Sequence, residues 1–338
     1  MTIAIFLLGY GHVAQRFVRL LDESRDALAA AGMEPVIVAV GTRRLGLAFD
    51  PGGVHLDPVA AESTGRPCDL PAVTDVLREM QRFPSRVLIE TTTLSIDAGE
   101  PAISHVRAAL ASGSHVITAN KGPVAFAYRA LAHEAASAGV SFLFEGAVMD
   151  GIPIFGLVRD AMPTVTVTGF RGVVNSTTNF ILTAMERGEP FASALARMQQ
   201  AGVAEADPTL DVDGWDAAAK AAALGNVLLD ADATPLTVSR EGIGPATAAR
   251  AVAARARGQR LKLVARGTGR GTTADLRVQL EELEAEDPLA ILDGQANALE
   301  LDTWPLGRVV ITQRDGGLEK TAYALLADLV TIGRRLSR

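Results

Sequence analysis

The N-terminal stretch constrains the fold of this chain more than any other part of the sequence. Thr2–Leu8 is a continuous run of apolar residues with strong β-propensity, typical of a parallel strand that is buried on both faces. It leads directly into GYGHVA at residues 9–14 and then into an amphipathic pattern. A strand, a G-x-G-x-x-A turn and a helix in this order are the context in which a dinucleotide-binding βαβ unit is recognised.

The small residues of this turn have separate physical roles. Gly9 allows the tight turn, Gly11 lets the backbone approach a pyrophosphate, and Ala14 permits close packing of the helix on the strand. The start of the helix offers N–H groups and a positive dipole to a phosphate. A plain turn between strand and helix is the alternative. We predict cofactor contacts from the turn residues Gly9, Tyr10, Gly11, His12 and Val13.

The end of the next strand bears on which dinucleotide is bound. Val36–Val40 reads as this strand, and a site for NAD would normally place Asp or Glu after it to bind the ribose 2′-hydroxyl. This chain has the neutral Thr42 followed by Arg43 and Arg44. Two guanidinium groups suit a 2′-phosphate, so the sequence favours NADP(H) over NAD(H). The alternative is a solvated basic turn.

Two later strands also end in polar residues. Val87–Ile89 is followed by Thr92 and Thr93, and the strand at residues 115–119 is followed by Lys121. Ligands of open α/β sheets bind at the carboxyl ends of the strands, so these side chains are expected to face a cofactor cleft. Threonines are also ordinary strand residues, and Lys121 could equally be a surface lysine.

The second half of the chain has a different pattern of apolar and polar residues. From about Pro163 apolar and polar residues alternate, as in a half-exposed antiparallel strand, and strand-like runs recur at residues 260–265, 276–280 and 309–312. We predict an α/β fold with a Rossmann domain over residues 1–150 and a second α/β domain with a mixed sheet over residues 151–314. The last helix, within residues 315–338, is expected to return to the first domain.

The stretch from Glu205 to Lys220 concentrates charge in an Ala- and Leu-rich chain. Gly214 and the alanines after it predict a helix near Trp215, on which Asp216 and Lys220 share a face. A lysine beside carboxylates can hold an oxyanion or transfer a proton, and free carboxylates can bind a hydroxyl or an ammonium group. A surface ion pair fits the residue types equally well. A calcium loop fits poorly, because lysine would occupy the position of the bidentate glutamate.

Composition excludes several classes of protein. A net charge of −7 and a pI near 5.4 argue against binding to nucleic acids or to anionic membranes. The single cysteine, Cys68, excludes an intrachain disulfide framework and indicates a reducing compartment, so a cytoplasmic location is expected. The apolar N-terminal run is too short for a membrane span and lacks the preceding basic residues of a signal peptide.

Four signatures in the same order point to one family. They are GYGHVA at the start, VITANKGPV at residues 116–124, VVNSTTNFIL at 173–182 and AEADPTLDVDGWDAAAK at 204–220. Over nearly its whole length the chain resembles homoserine dehydrogenase, in the short form without a kinase or regulatory domain. The resemblance implies NAD(P)-dependent interconversion of L-homoserine and L-aspartate 4-semialdehyde, on the route to threonine and methionine. It also implies that the second domain binds substrate and mediates dimerisation, in a homodimer.

The resemblance also assigns roles to individual residues. Lys220 matches the acid/base lysine, and Lys121 matches a second lysine near nicotinamide and substrate. Glu205 and Asp216 match residues that hold the substrate amine and hydroxyl, and Asp211 lies close to the same site. Further matches to cofactor-contacting residues are Thr92, Thr93 and Gly317.

The resemblance also implies a bound monovalent cation. The family usually holds it through backbone carbonyls in a small-residue loop, which Met149 and Asp150 interrupt here. Carbonyl ligands do not depend on side chains, so the candidate sodium ligands remain Glu145, Val148, Asp150 and Ile152.

Two other functions fit the same sequence less well. One is a related NADP-dependent dehydrogenase of another small hydroxy or amino acid, because fold and cofactor motif do not fix the substrate. The other is a catalytically silent NADP-binding sensor, which would have no chemical need for both Lys121 and Lys220 beside Glu205 and Asp216.

Overall fold

The structure, a computed structural model, describes residues 1–44, 46–56, 68–201, 204 and 207–337. The chain forms two compact units, one made of Met1–Phe155 with Leu318–Arg338 and the other of Gly156–Gly317. Each unit contains its own six-stranded sheet. The predicted α/β class is confirmed. Among the described residues, no helix has the length and apolar character needed to cross a membrane.

The sheet of the first unit is parallel except at one edge. Its order is β3-β2-β1-β4-β5-β6, and only β3 runs antiparallel to its neighbour among these described strands. The strands are β1 (Thr2–Leu8), β2 (Glu34–Thr42), β3 (Gly46–Phe49), β4 (Arg86–Glu90), β5 (His115–Thr118) and β6 (Phe142–Leu143). The strand order reverses at β1, with β2 on one side and β4 on the other, and ligands bind at such switch points.

Register brings the carboxyl ends of four strands side by side. Leu8 at the end of β1 pairs with Gly41 of β2 and with Glu90 of β4. Glu90 in turn pairs with Thr118 of β5. The helices that connect these strands are α1 (His12–Glu23), α2 (Arg25–Ala30), α3 (Leu70–Glu79), α4 (Ala102–Ala111) and α5 (Lys121–Ser137). The last of them begins at Lys121, which therefore opens a helix rather than lying in a loop.

The second unit has a mixed sheet, as predicted. Its order is β12-β11-β7-β9-β10-β8, and β8 is parallel to β10 whereas the other pairs are antiparallel. The strands are β7 (Thr166–Val173), β8 (Ser239–Arg240), β9 (Arg260–Thr268), β10 (Asp275–Leu283), β11 (Asn297–Trp304) and β12 (Gly307–Gln313). The helices are α6 (Ser176–Met185), α7 (Phe191–Gln200), α8 (Thr209–Val212), α9 (Trp215–Leu228) and α10 (Thr247–Ala256).

Helix α9 packs closely on this second sheet because its side chains are small. Its alanines at residues 217–219 and 221–223 are buried. A Cβ atom at Gly225 would lie 2.6 Å from the side chain of Leu276 of β10, so a larger residue here would displace that side chain. The residues of α9 that carry chemistry are therefore held on a rigid, buried helix.

The last helix, α11 (Leu318–Leu336), belongs to the first unit. Its buried residues, among them Leu325, Leu329 and Ile332, share one apolar cluster with Ile3 of β1 and Phe17 of α1. An N-terminal strand and a C-terminal helix thus build the same core.

Candidate active site

A cavity of about 1020 Å³ lies in the first unit at the carboxyl ends of β1, β2 and β4. The turn after β1, the turn after β2 and the loop after β4 line it. It brings together the predicted cofactor residues Gly9, Tyr10, Gly11, Thr42, Arg43, Arg44, Thr92 and Thr93. His12 and Val13 follow in the first turn of α1. These residues are far apart in sequence, so their meeting at one cavity supports a common ligand.

The two glycines of the first turn serve different ends. Gly9 has a φ of 91°, and a Cβ atom there would lie 2.7 Å from the carbonyl oxygen of Thr91. Gly11 precedes α1, and a Cβ atom there would meet nothing within 4 Å. No described side chain caps this helix. Gly9 therefore joins the loops after β1 and β4, whereas Gly11 leaves open space before uncapped N–H groups, which fits a phosphate.

The basic turn after β2 forms another wall of the cavity. Thr42 ends the strand, and Arg43 and Arg44 follow in an exposed turn. Cys68 lines the same wall, and its Sγ would lie 2.4 Å from a Cβ atom at Gly41. Burial, together with the charge of Asp69, raises the pKa of the Cys68 thiol to about 11. The thiol is therefore largely protonated at neutral pH. Its position beside the cofactor motif was not predicted from the sequence.

A buried carboxylate connects the loops after β4 and β5. Glu90 is fully buried and accepts hydrogen bonds from the backbone N–H of Thr92 at 2.7 Å and from the hydroxyl of Thr118 at 2.7 Å. Burial raises the pKa of Glu90. After β5, the side-chain oxygen of Asn120 caps α5 by accepting the N–H of Gly122 at 2.9 Å. Half-buried Lys121 is the first residue of that helix.

Sequence reasoning missed the role of Glu90. It singled out only Thr92 and Thr93 after this strand. The available signal was a carboxylate that closes an otherwise apolar strand of a parallel sheet, directly before three threonines. Such a group must find hydrogen-bond donors when it is buried.

A second cluster of polar groups lies in the second unit, at the start of α9. Lys220 Nζ is 2.9 Å from the carboxylate of Asp216, and it donates a hydrogen bond of 2.6 Å to the carbonyl oxygen of Val174. Only 14% of the Lys220 side chain and 15% of the Asp216 side chain are exposed. This is not the geometry of a solvated surface pair, in which both side chains would lie in water.

Asn175 joins this ion pair to a second carboxylate. Its amide nitrogen donates to Asp211 at 2.7 Å and to Asp216 at 2.8 Å, while its amide oxygen caps α6 at the N–H of Thr178. Burial and the neighbouring charge of Asp216 raise the pKa of Asp211. The sequence did not predict this bridge, because Asn175 and the two aspartates are more than thirty residues apart.

Local backbone geometry sets the position of this cluster. Gly214 has a φ of 78°, and a Cβ atom there would lie 2.4 Å from the carbonyl oxygen of Glu241. This turn ends the segment that carries Asp211 and starts α9 at Trp215, as the sequence predicted. Asp213, which lies between Asp211 and Gly214 in the chain, is exposed. The structure therefore separates Asp211 from Asp213, which the sequence alone did not.

Two predicted site residues cannot be placed in either cluster. Glu205 lies outside the residues that the structure describes. Gly317 is exposed, has a φ of 130° and is the last residue of the second unit. Their expected contacts with substrate and cofactor stay predictions.

The candidate sodium ligands lie in the loop after β6. Glu145 is buried, accepts the N–H of Phe155 at 2.8 Å and donates its own N–H to Asp328 at 2.9 Å. Asp150 accepts the hydroxyl of Thr321 at 3.2 Å. The carbonyl oxygen of Ile152 accepts the N–H of Ile154 at 2.9 Å. Val148, the fourth candidate, is buried.

The predicted sodium site does not depend on a cluster of metal-binding side chains. Within the described part of the chain, no group of three or more His, Cys, Asp or Glu side chains could hold a metal ion. The predicted site relies on backbone carbonyls, each of which has two lone pairs and can accept a hydrogen bond and still ligate a cation. The sodium site stays a prediction.

Comparison with known families matches both units. A family model described as "Homoserine dehydrogenase, NAD binding domain" matches residues 9–145, and one described as "Homoserine dehydrogenase" matches residues 153–330.

Individual proteins match over nearly the whole chain. The NAD(+)-dependent homoserine dehydrogenase of Pseudomonas canavaninivorans is 35% identical over 340 residues, which cover 98% of this chain and 96% of that protein. The homoserine dehydrogenase of Methanocaldococcus jannaschii is 32% identical over 337 residues, which cover 97% and 98%. The crystal structure of a homoserine dehydrogenase from Thiobacillus denitrificans aligns with a TM-score of 0.83 and 30% identity, covering 100% of this chain and 74% of that one.

Proposed function

The chain belongs to the homoserine dehydrogenase family, and we propose that it interconverts L-homoserine and L-aspartate 4-semialdehyde with a nicotinamide cofactor, in the biosynthesis of threonine and methionine. The observation that carries this proposal is the buried cluster of Lys220, Asp216, Asn175 and Asp211. It offers a proton donor and carboxylate acceptors within one site, which are the groups that an amino alcohol and its aldehyde require.

Lys220 is the proposed acid and base. When bound, the nicotinamide cofactor supplies or accepts the hydride. In the reductive direction the carbonyl oxygen of the semialdehyde develops negative charge, and the Lys220 ammonium group stabilises this charge and donates a proton. Two acceptors, the Val174 carbonyl and the Asp216 carboxylate, orient that ammonium group. In the oxidative direction the neutral amine takes the hydroxyl proton, so we expect oxidation to run faster at alkaline pH. We propose Lys121 as a second catalytic lysine.

The two aspartates are the proposed acceptors for the substrate. Asp211 and Asp216 share the amide group of Asn175, so two carboxylates lie close together with one neutral donor between them. The Lys220 ammonium group balances only one of these two negative charges, so a bound substrate ammonium group would balance the other. A substrate that carries an ammonium group therefore fits this cluster better than a simple hydroxy acid does. We propose Glu205 as a third substrate contact.

Direct measurement of turnover tests the activity. The purified protein is mixed with homoserine and the oxidised cofactor, or with the semialdehyde and the reduced cofactor, and the absorbance of the reduced nicotinamide is followed. Homoserine is compared by kcat/KM with hydroxy acids that lack the amino group, and we expect it to be preferred. Absence of turnover with both cofactors in both directions would refute the proposed function.

We propose NADP(H) as the preferred cofactor. Arg43 and Arg44 lie in the exposed turn that lines the cofactor cavity, where the 2′-phosphate of the ribose would be recognised. The Pseudomonas relative is NAD(+)-dependent, so the preference has to be measured on this chain.

Binding of the two reduced cofactors tests this preference. Replacing both Arg43 and Arg44 by Ala should weaken NADPH binding far more than NADH binding, because only NADPH carries the 2′-phosphate. Arg25, exposed on α2 and paired with Asp22, provides a matched control, and Arg25→Ala should change neither affinity. Equal losses for both cofactors in the double variant would contradict the assignment.

Three further properties follow from the family and are proposals for this chain. Sodium would be held by backbone carbonyls in the loop of Glu145, Val148, Asp150 and Ile152, and activity measured against sodium concentration tests this. A homodimer is expected, which sedimentation equilibrium measures. A cytoplasmic location agrees with the single cysteine and is checked by cell fractionation.

A further inference from the structure

Glu90 is a buried carboxylate whose described hydrogen-bond donors are neutral groups. It accepts the backbone N–H of Thr92, the hydroxyl of Thr92 and the hydroxyl of Thr118. Its side chain has no accessible surface. Burying a carboxylate is costly, so such a residue is expected to have a purpose that an apolar side chain would not serve.

The contacts of Glu90 extend to the residue that starts α5. The hydroxyl of Thr118, held by Glu90, accepts the backbone N–H of Asn120 at 2.9 Å. The side-chain amide of Asn120 donates back to the carbonyl oxygen of Thr92 at 3.1 Å. Glu90, Thr92, Asn120 and Thr118 therefore form a closed ring of hydrogen bonds. This ring joins the loop after β4 to the turn after β5.

We propose that Glu90 is a positioning residue of the active site, which fixes the Thr92 loop against the turn that presents Lys121. The inference rests on the proposed dehydrogenase activity. Thr92 lies on the wall of the cofactor cavity, and Lys121 directly follows Asn120 at the start of α5. Glu90 does not line that cavity among its described wall residues, so it acts through the two loops and not on the ligand.

The chemistry of the ring requires an acceptor at both oxygens of residue 90. One oxygen receives the donors of Thr92, and the other receives the donor of Thr118. Glutamine has the same shape but carries an amide NH₂ in place of one oxygen. With its oxygen held by the N–H of Thr92, the NH₂ would face Thr118, whose hydroxyl could no longer donate to residue 90. Glu90→Gln therefore removes the bond donated by Thr118 without removing volume from the core.

Thr118 allows a gentler test of the same ring. Thr118→Val keeps the shape of the side chain but removes the hydroxyl that links Glu90 to Asn120, whereas Thr118→Ser keeps the hydroxyl. We expect Glu90→Gln and Thr118→Val each to lower kcat by about tenfold or more, because small displacements of positioned groups reduce catalysis strongly. Thr118→Ser should stay close to the wild type.

Two measurements separate positioning from general weakening of the fold. In a double-mutant cycle, adding Thr118→Val to Glu90→Gln should lower kcat little further, because the hydrogen bond between residues 90 and 118 is already lost. Hydrogen exchange of the protein without cofactor should accelerate in peptides covering residues 91–93 and 118–122, and this readout does not depend on turnover. Glu186, a buried carboxylate of the second unit held by Arg260, provides a control. Glu186→Gln should lower thermal stability but leave kcat unchanged.

The outcomes are distinct. Failure of the wild type to turn over would refute the proposed function, and the exchange data would then still test the ring. If the wild type is active, a Glu90→Gln variant with unchanged kcat and unchanged hydrogen exchange would overturn the inference. Additive losses in the cycle, or an equal loss of kcat in Glu186→Gln, would also overturn it. If Glu90→Gln does not fold, the contrast between Thr118→Val and Thr118→Ser decides.

Discussion

The ammonium group of Lys220 lies 2.9 Å from the carboxylate of Asp216, one helical turn earlier on α9. Exposed pairs of this spacing typically contribute less than about 1 kcal/mol to stability. Both side chains here are largely buried, so each fixes the orientation of the other. The pair is therefore better suited to hold two reactive groups in place than to stabilise a surface helix.

Replacing Lys220 should remove most of the catalytic activity. We expect Lys220→Ala to lower kcat by roughly 10²- to 10⁴-fold, the range typical of a lost general acid or base. Steady-state assays in both directions measure this loss, and thermal unfolding checks that the fold remains. Exposed Asp213, from the same acidic stretch, is the control, and Asp213→Asn should have near-normal kcat. Near-normal turnover of Lys220→Ala would show that another group transfers the proton.

Two substitutions at Asn175 should separate its roles as cap and as bridge. Asn175→Ser keeps an oxygen that can cap α6 but loses the amide donor to Asp211 and Asp216, so we expect raised KM for homoserine with little loss of stability. Asn175→Ala loses both functions, and its free energy of unfolding should fall by about 1 kcal/mol or more. Urea denaturation and substrate titration measure the two effects. An unchanged KM in both variants would exclude the bridging role.

Titration of Asp211 should appear in the acid limb of kcat/KM for homoserine. Burial and the charge of Asp216 raise its pKa, whereas Asn175, Lys220 and Thr177 oppose that shift. Protonated Asp211 cannot accept an ammonium group, so activity should fall as the pH drops through the raised pKa. In Asp211→Asn this limb should disappear and the remaining kcat/KM should be low at all pH values. Persistence of the same limb in the variant would assign it to another group.

The same shift has a definite sign in stability. Because the folded-state pKa of Asp211 is raised, its contribution is fully present below the ordinary range of an aspartate and is lost as the pH rises through the raised value. The stability of the wild type relative to Asp211→Asn should therefore decrease with rising pH. Urea denaturation of both proteins across acidic to neutral pH measures this difference.

Cys68 should report on occupancy of the cofactor cavity. Its pKa is raised to about 11, against 9.0 for an ordinary thiol, so the folded protein should react with a thiol reagent at mildly alkaline pH about a hundredfold more slowly than the unfolded chain. Saturating NADPH should slow the reaction further, because Cys68 lines the cavity wall. A rate that does not depend on cofactor would place the bound cofactor away from this wall.

Lys262 should make stability increase with pH on the alkaline side. This lysine is fully buried, and Nζ donates to the side-chain oxygen of Asn179 and to the carbonyl oxygen of Leu292. Burial lowers its pKa to about 8. The unfolded chain then binds more protons above pH 8, so this group adds up to about 3 kcal/mol as the pH rises towards 10. Lys262→Met should flatten the rise, which denaturation across this pH range measures.

The parts of the fold that were predictable from sequence are those with a local signal. Thr2–Leu8 and the glycine turn after it specify a buried strand and a helix start through residues that are neighbours in the chain. The helix that begins at Trp215 was equally predictable, because Gly214 is followed by a run of alanines. Edge strand β3 and the inner strand β11 gave no comparable signal, since short strands acquire their structure from pairing partners.

The contacts that build the sites were not predictable in the same way. Glu90 meets Thr118 across 28 positions, and Asn175 meets Asp211 across 36. The first contact depends on the register of β4 against β5, and the second on the packing of α6 beside α8. Sequence patterns specify which residue types are available, whereas register and packing decide which of them meet.

The return of α11 to the first unit has a consequence for synthesis. During synthesis α11 emerges long after β1, because residues 156–317 lie between them in the chain. Until α11 emerges, Ile3 and Phe17 lack part of the apolar cluster that covers them in the folded protein. The core of the first unit therefore cannot be completed before α11 has been made, although the second unit has all of its residues by then. The nascent N-terminal sheet is expected to need chaperone protection until α11 has emerged.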